Sequence, residues 1–356
     1  MDGVKPRLAY LDCWLDPAGD EAISGAPNIE LIRLRLDVDE GEVWRELATA
    51  HGYQTLPSTE TPDQFRPSRQ LIERCPNLLC VAASGAGYDM FDVDACTEAG
   101  VLVVNQSGSN AESVVQHVLG MMLAISKQII QSDRAIRQPE RDWTRRGYAG
   151  GELTEKTLGI IGLGNIGRRL AEICSSVFAM RVISYDPYIT ADDFIRRHAR
   201  SVDLDTVFRE SDFVSVNCPL TNETRGMVGG EAFDLMKSTA IFINTGRGGI
   251  HDELALASAL ADGRVAGAGL DVFEVEPPAA DHPLLSFDNV VVSPHQAGIT
   301  AESQANMARW AAEQWITIFA GSRPPRLINP EAWDRYRSRY EDLLGRPVSE
   351  ESELCA

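Results

Sequence analysis

The sequence predicts an α/β protein built on parallel sheets, with a doubly wound sheet in its second half. Three observations lead there. Short apolar runs of strand length alternate with stretches of helical periodicity along most of the 356 residues, as they do where crossover helices join parallel strands. One run, residues 158–161, leads directly into Gly162, Gly164 and Gly167, after which Ile166, Leu170, Ile173 and Val177 recur at helical spacing. Several later runs end in polar residues, and open α/β sheets bind ligands beyond the carboxyl ends of their strands.

Taken in order, residues 7–11 read as a first strand. Residues 12–28, rich in Asp, Gly and Pro, read as a long loop, functional or mobile. Trp14 within it either touches a ligand or covers the core edge. Residues 29–36 suggest a second strand, and residues 42–51 a short helix with Val43, Trp44 and Leu47 on its apolar face, stopped by Gly52. A helix beginning at Pro67 and halted by Pro76 follows. A buried strand at 78–83 then runs into Ser84-Gly-Ala-Gly-Tyr-Asp89, and 101–104 is another strand. From Asn110 a long helix runs through Val114, Val118, Met121, Met122 and Ile125 to about Ile136, a bridge between domains.

Beyond it, six strands are expected, at 158–161, 181–185, 213–216, 240–244, 265–270 and 289–292, with helices between them such as 203–210, 231–237 and 252–261. This is the doubly wound pattern. Residues 302–319 form a further amphipathic helix, and the charged, aromatic tail from Glu331 has no assignable element.

The glycine turn carries chemistry of its own. The first glycine permits the tight turn, the second lets a pyrophosphate approach the backbone, and the third lets helix and strand pack closely. The helix N-terminus adds N–H groups and a partial positive charge. The motif alone is weak; the strand before it and the helix after it strengthen it. The strand at 181–185 ends at Asp186. That acid stands about 20 residues on, where a carboxylate accepts bonds from the ribose hydroxyls of NAD and repels a 2′-phosphate. No Arg follows at once, so NAD is favoured over NADP. Otherwise Asp186 is a solvated acid before the turn residue Pro187.

Composition narrows the class. The length suggests two domains and is ample for a core. A net charge of −19, from 33 basic and 52 acidic residues, argues against a nucleic-acid or anionic-membrane partner. A small anionic substrate needs only a local cationic pocket. The seven cysteines are odd in number and scattered, with no C-x-x-C, so neither a disulfide framework nor a metal site is expected. The N-terminus lacks an apolar signal core, which makes a cytoplasmic location the expectation.

Three strand ends hold the remaining candidates. Residues 244–249, Asn-Thr-Gly-Arg-Gly-Gly, set Arg247 in a glycine-rich turn. Its guanidinium either forks onto a carboxylate or polarised carbonyl, or is an ordinary surface group. Residues 270–277 contain Asp271, Glu274 and Glu276, the last stiffened by Pro277. Residues 291–295 end in His295. A lone His there is structural; a His beside a carboxylate is an acid/base pair, because the charge favours the imidazolium and orients the ring.

With these motifs in this order, the chain resembles the D-isomer-specific 2-hydroxyacid dehydrogenase family. The matching text is 162–167 with Asp186-Pro187; Asn217-Cys-Pro-Leu-Thr-Asn-Glu-Thr224; 244–248; Asp271 through Glu276-Pro277; and Ser293-Pro-His295. It covers nearly the whole chain. The resemblance implies an NAD-dependent oxidoreductase moving hydride between the nicotinamide and C2 of a small D-2-hydroxy acid or 2-keto acid. His295 would be the acid in reduction and the base in oxidation, Glu276 would pair with it and raise its pKa, and Arg247 would hold the substrate carboxylate and carbonyl. Backbone N–H groups of Ser84, Gly85, Ala86 and Gly87 would bind that carboxylate. NAD would meet Gly162, Gly164, Asn165, Ile166, Gly167 and Asp186 at one end. Cys218, Pro219, Thr245, Gly246, Arg247, Asp271, His295 and Gly298 would meet the rest of it.

The resemblance also implies a doubly wound NAD-binding domain, residues 118–304, inserted into a smaller flavodoxin-like α/β substrate domain, residues 1–117 and 305–356. Residues 327–330 would be the return crossing. A homodimer is implied, with residues 141–148 resembling the arm that meets the partner; otherwise they are a basic surface loop.

Departures bear on the substrate. With an end at residue 356, no room is expected for the C-terminal regulatory domain of long phosphoglycerate dehydrogenases, and no basic cluster flanks residues 84–87. Ala86 stands where phosphite-oxidising relatives carry Lys, and Glu276 in place of Gln argues against formate dehydrogenase. Gln296 follows His295 where His-x-Gly-Gly is often seen. The second reading of the same motifs is an NADH-responsive dimeric scaffold of the corepressor type, which long tails and a peptide cleft would support.

Overall fold

A computed structural model of the chain describes residues 4–26, 28–57, 60–138 and 145–349. Two compact units are formed, Met1–Asn110 with Thr300–Ala356, and Ala111–Ile299. The second is thus a single insertion between the two segments of the first.

The first unit opens with β1 (Arg7–Leu11), α1 (Pro17–Ser24), β2 (Glu30–Leu34), α2 (Glu40–Leu47), β3 (Gly52–Gln54), α3 (Arg69–Arg74), β4 (Cys80–Ala82), α4 (Val93–Ala99) and β5 (Leu102–Val104). Its sheet has the order β2-β1-β3-β4-β5 and is parallel throughout, the flavodoxin arrangement.

Three expectations are corrected here. The long loop at 12–28 contains α1, because the Asp16 carboxylate accepts from Ala18 N at 2.9 Å and Pro17 opens the helix. Trp14 stacks on Tyr10 at 5.7 Å and is 8% exposed, so it covers the core. Gly52 does not stop α2, which ends at Ala48; it opens β3. A β-carbon at Gly52 would lie 2.4 Å from the Trp315 ring, so a glycine there admits that indole. Finally, α3 is capped by Ser68, whose hydroxyl accepts from Leu71 N, and Pro67 lies outside the helix.

The second unit begins with α5 (Ala111–Ser126) and α6 (Ile129–Ile136) in place of the one long helix expected. They meet at a bend of 59°, with Gln128 at φ 51°. Val115, Val118 and Met122 of α5 are buried in this unit's core, and α5 belongs to it whole. The expected boundary at 117/118 would have cut this helix. Then follow β6 (Thr157–Ile161), α7 (Asn165–Val177), β7 (Arg181–Tyr185), α8 (Ala191–Arg196), β8 (Arg200–Ser201), α9 (Leu204–Glu210), β9 (Phe213–Val216), α10 (Gly230–Leu235), β10 (Ile241–Asn244), α11 (Glu253–Ala261), β11 (Gly267–Leu270) and β12 (Val290–Val292).

The second sheet runs β12-β11-β10-β9-β6-β7-β8, again all parallel. It is doubly wound, with one more strand than the six expected: β8, whose two residues are exposed and pair with β7. The strand order reverses between β6 and β9, the switch point where such sheets bind ligands. An apolar cluster lines each face of the sheet.

The chain returns to the first unit through α12 (Ala301–Phe319), capped by Thr300, and ends in α13 (Trp333–Leu344). Within the unassigned tail, Trp333–Leu344 therefore forms a helix. Its Tyr336 and Tyr340 are buried, and their hydroxyls donate to Ile318 O and Phe319 O at 3.2 and 2.8 Å. Leu327 makes an antiparallel bridge to Val104. Asn329, fully buried, accepts from Val103 N at 2.8 Å and donates to Thr97 Oγ1 and Val101 O at 2.9 and 3.0 Å.

Candidate active site

After β6 the chain turns at Gly162, φ 90°. A β-carbon at Gly167 would lie 2.2 Å from Gly162 O, so turn and helix can meet only through glycines. No side chain caps α7, and a β-carbon at Gly164 would meet nothing within 4 Å. The result is an open cradle at an uncapped helix start, suited to phosphate. Asp186, just past β7, accepts from Leu163 N at 2.8 Å and Tyr188 N at 3.0 Å, so its carboxylate lies beside the glycine turn. Cradle and acid together fit a dinucleotide.

Cys218 lies between two glycine turns. Its N would be 2.9 Å from a β-carbon at Gly162 and its carbonyl 3.1 Å from one at Gly246. Burial pushes its thiol up to about 11, leaving it neutral. Thr245 is buried, directly after the last residue of β10.

Asn244, fully buried, shapes the Arg247 turn. Its Oδ1 accepts from Gly246 N at 2.9 Å and its Nδ2 donates to Arg247 O at 2.8 Å. The same Nδ2 lies 3.0 Å from His251 Nδ1, which accepts. Arg247 donates from Nη1 to Gly246 O at 2.8 Å. The turn then presses on the segment that follows β11: a β-carbon at Gly248 would lie 1.9 Å from Phe273 C.

That segment delivers Glu276. Its Oε1 accepts from Phe273 N at 3.0 Å, and its Oε2 lies 2.8 Å from His295 Nδ1. The two side chains are 23% and 27% exposed, enough for a ligand to reach them. Burial pushes the Glu276 carboxyl up. The hydrogen bonds from His295 and Phe273 N–H, with the charges of His295 and Arg247, outweigh it and hold the group below the usual carboxylate range. Glu253 steadies the same segment, accepting from Glu274 N at 2.7 Å and pairing with His282 at 3.0 Å.

Asp271 is 1% exposed. Its Oδ1 accepts from Ser293 Oγ at 2.6 Å and Gln296 N at 2.9 Å, and its Oδ2 from Ala297 N at 2.8 Å. The carboxylate is thus turned to the loop that carries His295.

In the first unit, the loop after β4 has its carbonyls bound. Asn105 Nδ2 donates to Ala86 O at 2.7 Å and Gln106 N to Gly85 O at 2.9 Å. Among the described residues, no N–H of Ser84, Gly85, Ala86 or Gly87 donates to a protein acceptor.

Arg247, Glu276, His295, Asp271, Cys218 and Thr245 therefore all stand at strand ends of one sheet. The expected partner arm, 141–148, lies outside the described residues up to 144. Sequence reasoning missed the supports: Asn244, Ser293, His117, His251, and the pair Glu253–His282. Asn244 and Ser293 sit inside recognised motifs. His117 left one signal, a polar residue at helical spacing between Val114 and Met121. Four of the chain's six histidines belong to this site or its supports.

Residues 119–297 match the family described as D-isomer specific 2-hydroxyacid dehydrogenase, NAD binding domain. The D-3-phosphoglycerate dehydrogenase of Archaeoglobus fulgidus is 40% identical over 266 residues, 75% of this chain and 50% of the relative. The glyoxylate reductase of Aeropyrum pernix is 40% identical over 266 residues, 73% of this chain and 79% of the relative. Among solved structures, D-lactate dehydrogenase from Aquifex aeolicus complexed with NAD and lactic acid is similar at TM-score 0.75 and 26% identity, over 90% of this chain and 99% of that one. The chain spans half the length of the phosphoglycerate dehydrogenase it matches.

Proposed function

The chain belongs to the D-isomer specific 2-hydroxyacid dehydrogenase family, and we propose that it interconverts a small D-2-hydroxy acid and its 2-keto acid. The observation that carries this reading is the 2.8 Å contact between His295 Nδ1 and Glu276 Oε2, beside the Arg247 turn. NAD, when bound, supplies or accepts the hydride.

The chain's own residues do the rest. With Nδ1–H committed to Glu276, His295 presents Nε2 to the substrate oxygen, giving a proton in reduction and taking one in oxidation. Glu276, its carboxyl held low, stays ionised at neutral pH, fixes the ring orientation and favours the imidazolium. Arg247 forks onto the substrate carboxylate and carbonyl. The N–H groups of residues 84–87 are donors to the carboxylate, a role supported by their lack of described acceptors. The glycine cradle and Asp186 take the adenosine and pyrophosphate of NAD.

The relatives name the first substrates to test, glyoxylate and the 3-phosphoglycerate couple. A screen of NADH oxidation over 2-keto acids should find at least one good substrate. His295→Ala should then lower its turnover about 100- to 10,000-fold, the usual range for an acid/base group, while NADH binding persists. Unchanged turnover sinks the assignment. One stoichiometric protein partner, with no activity on any keto acid, would point to the scaffold reading. A homodimer is part of the proposal, and a monomeric mass by light scattering would count against it.

A further inference from the structure

His117 lies on α5, at helical spacing between the buried Val114 and Met121. Its Nε2 is 2.8 Å from Ser293 Oγ, which in turn donates to Asp271 Oδ1 at 2.6 Å. Asp271 then holds three successive N–H groups of the next loop. His295 N reaches its backbone carbonyl at 2.8 Å, Gln296 N its Oδ1 at 2.9 Å, and Ala297 N its Oδ2 at 2.8 Å. His295 itself has φ 52°, a left-handed conformation that a β-carbon disfavours. Such a residue persists only where its surroundings over-determine it, and the three bonds to Asp271 do so.

Donor and acceptor chemistry sets the direction of the chain of bonds. A carboxylate only accepts, so the single hydroxyl hydrogen of Ser293 goes to Asp271. The Ser293 oxygen is then an acceptor toward His117, whose Nε2 must carry hydrogen. The neutral Nε2–H tautomer and the imidazolium both satisfy this; the Nδ1–H tautomer does not.

We propose that His117 is a positioning residue for His295. By donating to Ser293 it locks the hydroxyl onto Asp271, and through Asp271 it holds the strained backbone that aims the His295 ring. His117 touches none of the reacting atoms. The proposal rests on His295 being the acid/base group.

Two readouts test it. In apoprotein labelled with 15N on histidine, at a pH where the ring is neutral, His117 should be the Nε2–H tautomer. Finding Nδ1–H overturns the proposal whatever the enzyme does with keto acids. In the active enzyme, His117→Phe should lower kcat about 10- to 100-fold, the scale of a small misplacement, with KM and NADH affinity within about threefold. His117→Gln, whose amide nitrogen reaches the Nε2 position, should recover most of the loss. Adding Ser293→Ala to His117→Phe should cost little more than the worse single change, since the two act as one chain. Equal damage from Phe and Gln, or factors that multiply in the double variant, overturns it. If His117→Phe fails to fold, His117→Asn, too short to reach Ser293, takes its place. A wild-type protein inactive on every 2-keto acid defeats the proposed function, and the tautomer still decides the contact.

Discussion

His251 illustrates how much a supporting residue can impose on the rest. It is 2% exposed, accepts from Asn244 and lies 5.4 Å from the Phe242 ring. Burial lowers its pKa to about 4, against smaller raising effects of Glu253 and Asp252. The unfolded chain protonates near 6.5, so between 6.5 and about 4 the unfolded state binds the extra proton. Stability must therefore fall as pH drops through that window, by about 3 kcal/mol in all. Glu276 acts lower: its carboxyl is depressed, so its contribution is lost only as pH falls below the ordinary carboxyl value of 4.5. Between 6.5 and 4.5 His51, whose pKa burial also lowers, adds a slope of the same sign, but that slope is common to wild type and variant. His251→Asn keeps an acceptor near the Nδ1 position and removes the titration. Urea unfolding across that interval should show a flatter pH slope for the variant, and equal slopes would refute the account. Catalysis adds a second pH signature. With His295 as the proposed proton carrier, reduction would consume its protonated form and oxidation would need the neutral ring, so the optima of the two directions should be displaced. Coincident rate profiles would argue against His295 as proton carrier.

Two elements meet at the Arg247 turn, and the meeting is close enough to predict a failure. Gly248→Ala would put a carbon 1.9 Å from Phe273 C and 2.2 Å from Phe273 O, both backbone atoms that cannot rotate away. The turn must shift against the segment carrying Glu276. Turnover should fall about 100-fold or more, while NADH fluorescence titration stays near wild type because the cradle at 162–167 belongs to another strand end. Full turnover would show that the turn's position is not critical. The elements that were legible in sequence share a physical reason. The buried strands β6, β9 and β10 are apolar throughout or nearly so, and α9 and α11 start at Asp203 and Asp252, each capping its own helix. Others were hidden because their order comes from elsewhere. β8 has exposed side chains and exists through its bonds to β7. The break after α5 rests on a left-handed Gln128, which no apolar pattern marks. In α1 the signal was present, Asp16 then Pro17, but the surrounding Gly and Asp residues read as loop.

Across the whole molecule, the residues proposed to react were legible and their supports were not, because motifs are local and supports are long-range. Arg247, Glu276 and His295 each close a short recognisable run, whereas His117 meets Ser293 across 176 residues of chain. The same contrast governs how the first unit closes on its distant segment. Val103 N and Asn329 Oδ1 are 226 residues apart, and the three bonds of that one amide tie the return segment to α4 and β5. Asn329→Ala would leave Val103 N–H and Val101 C=O buried without partners, since both residues are at most 1% exposed. Two orphaned backbone groups should cost about 2–4 kcal/mol. The loss should be local to one unit: hydrogen exchange should quicken across Leu102–Val104 and Trp333–Leu344, while NADH affinity, which depends on Ala111–Ile299, holds. Exchange that quickens equally through the β6–β12 sheet would mean that the two units unfold as one, and unchanged exchange would mean that the return segment is held by its apolar contacts and not by this amide.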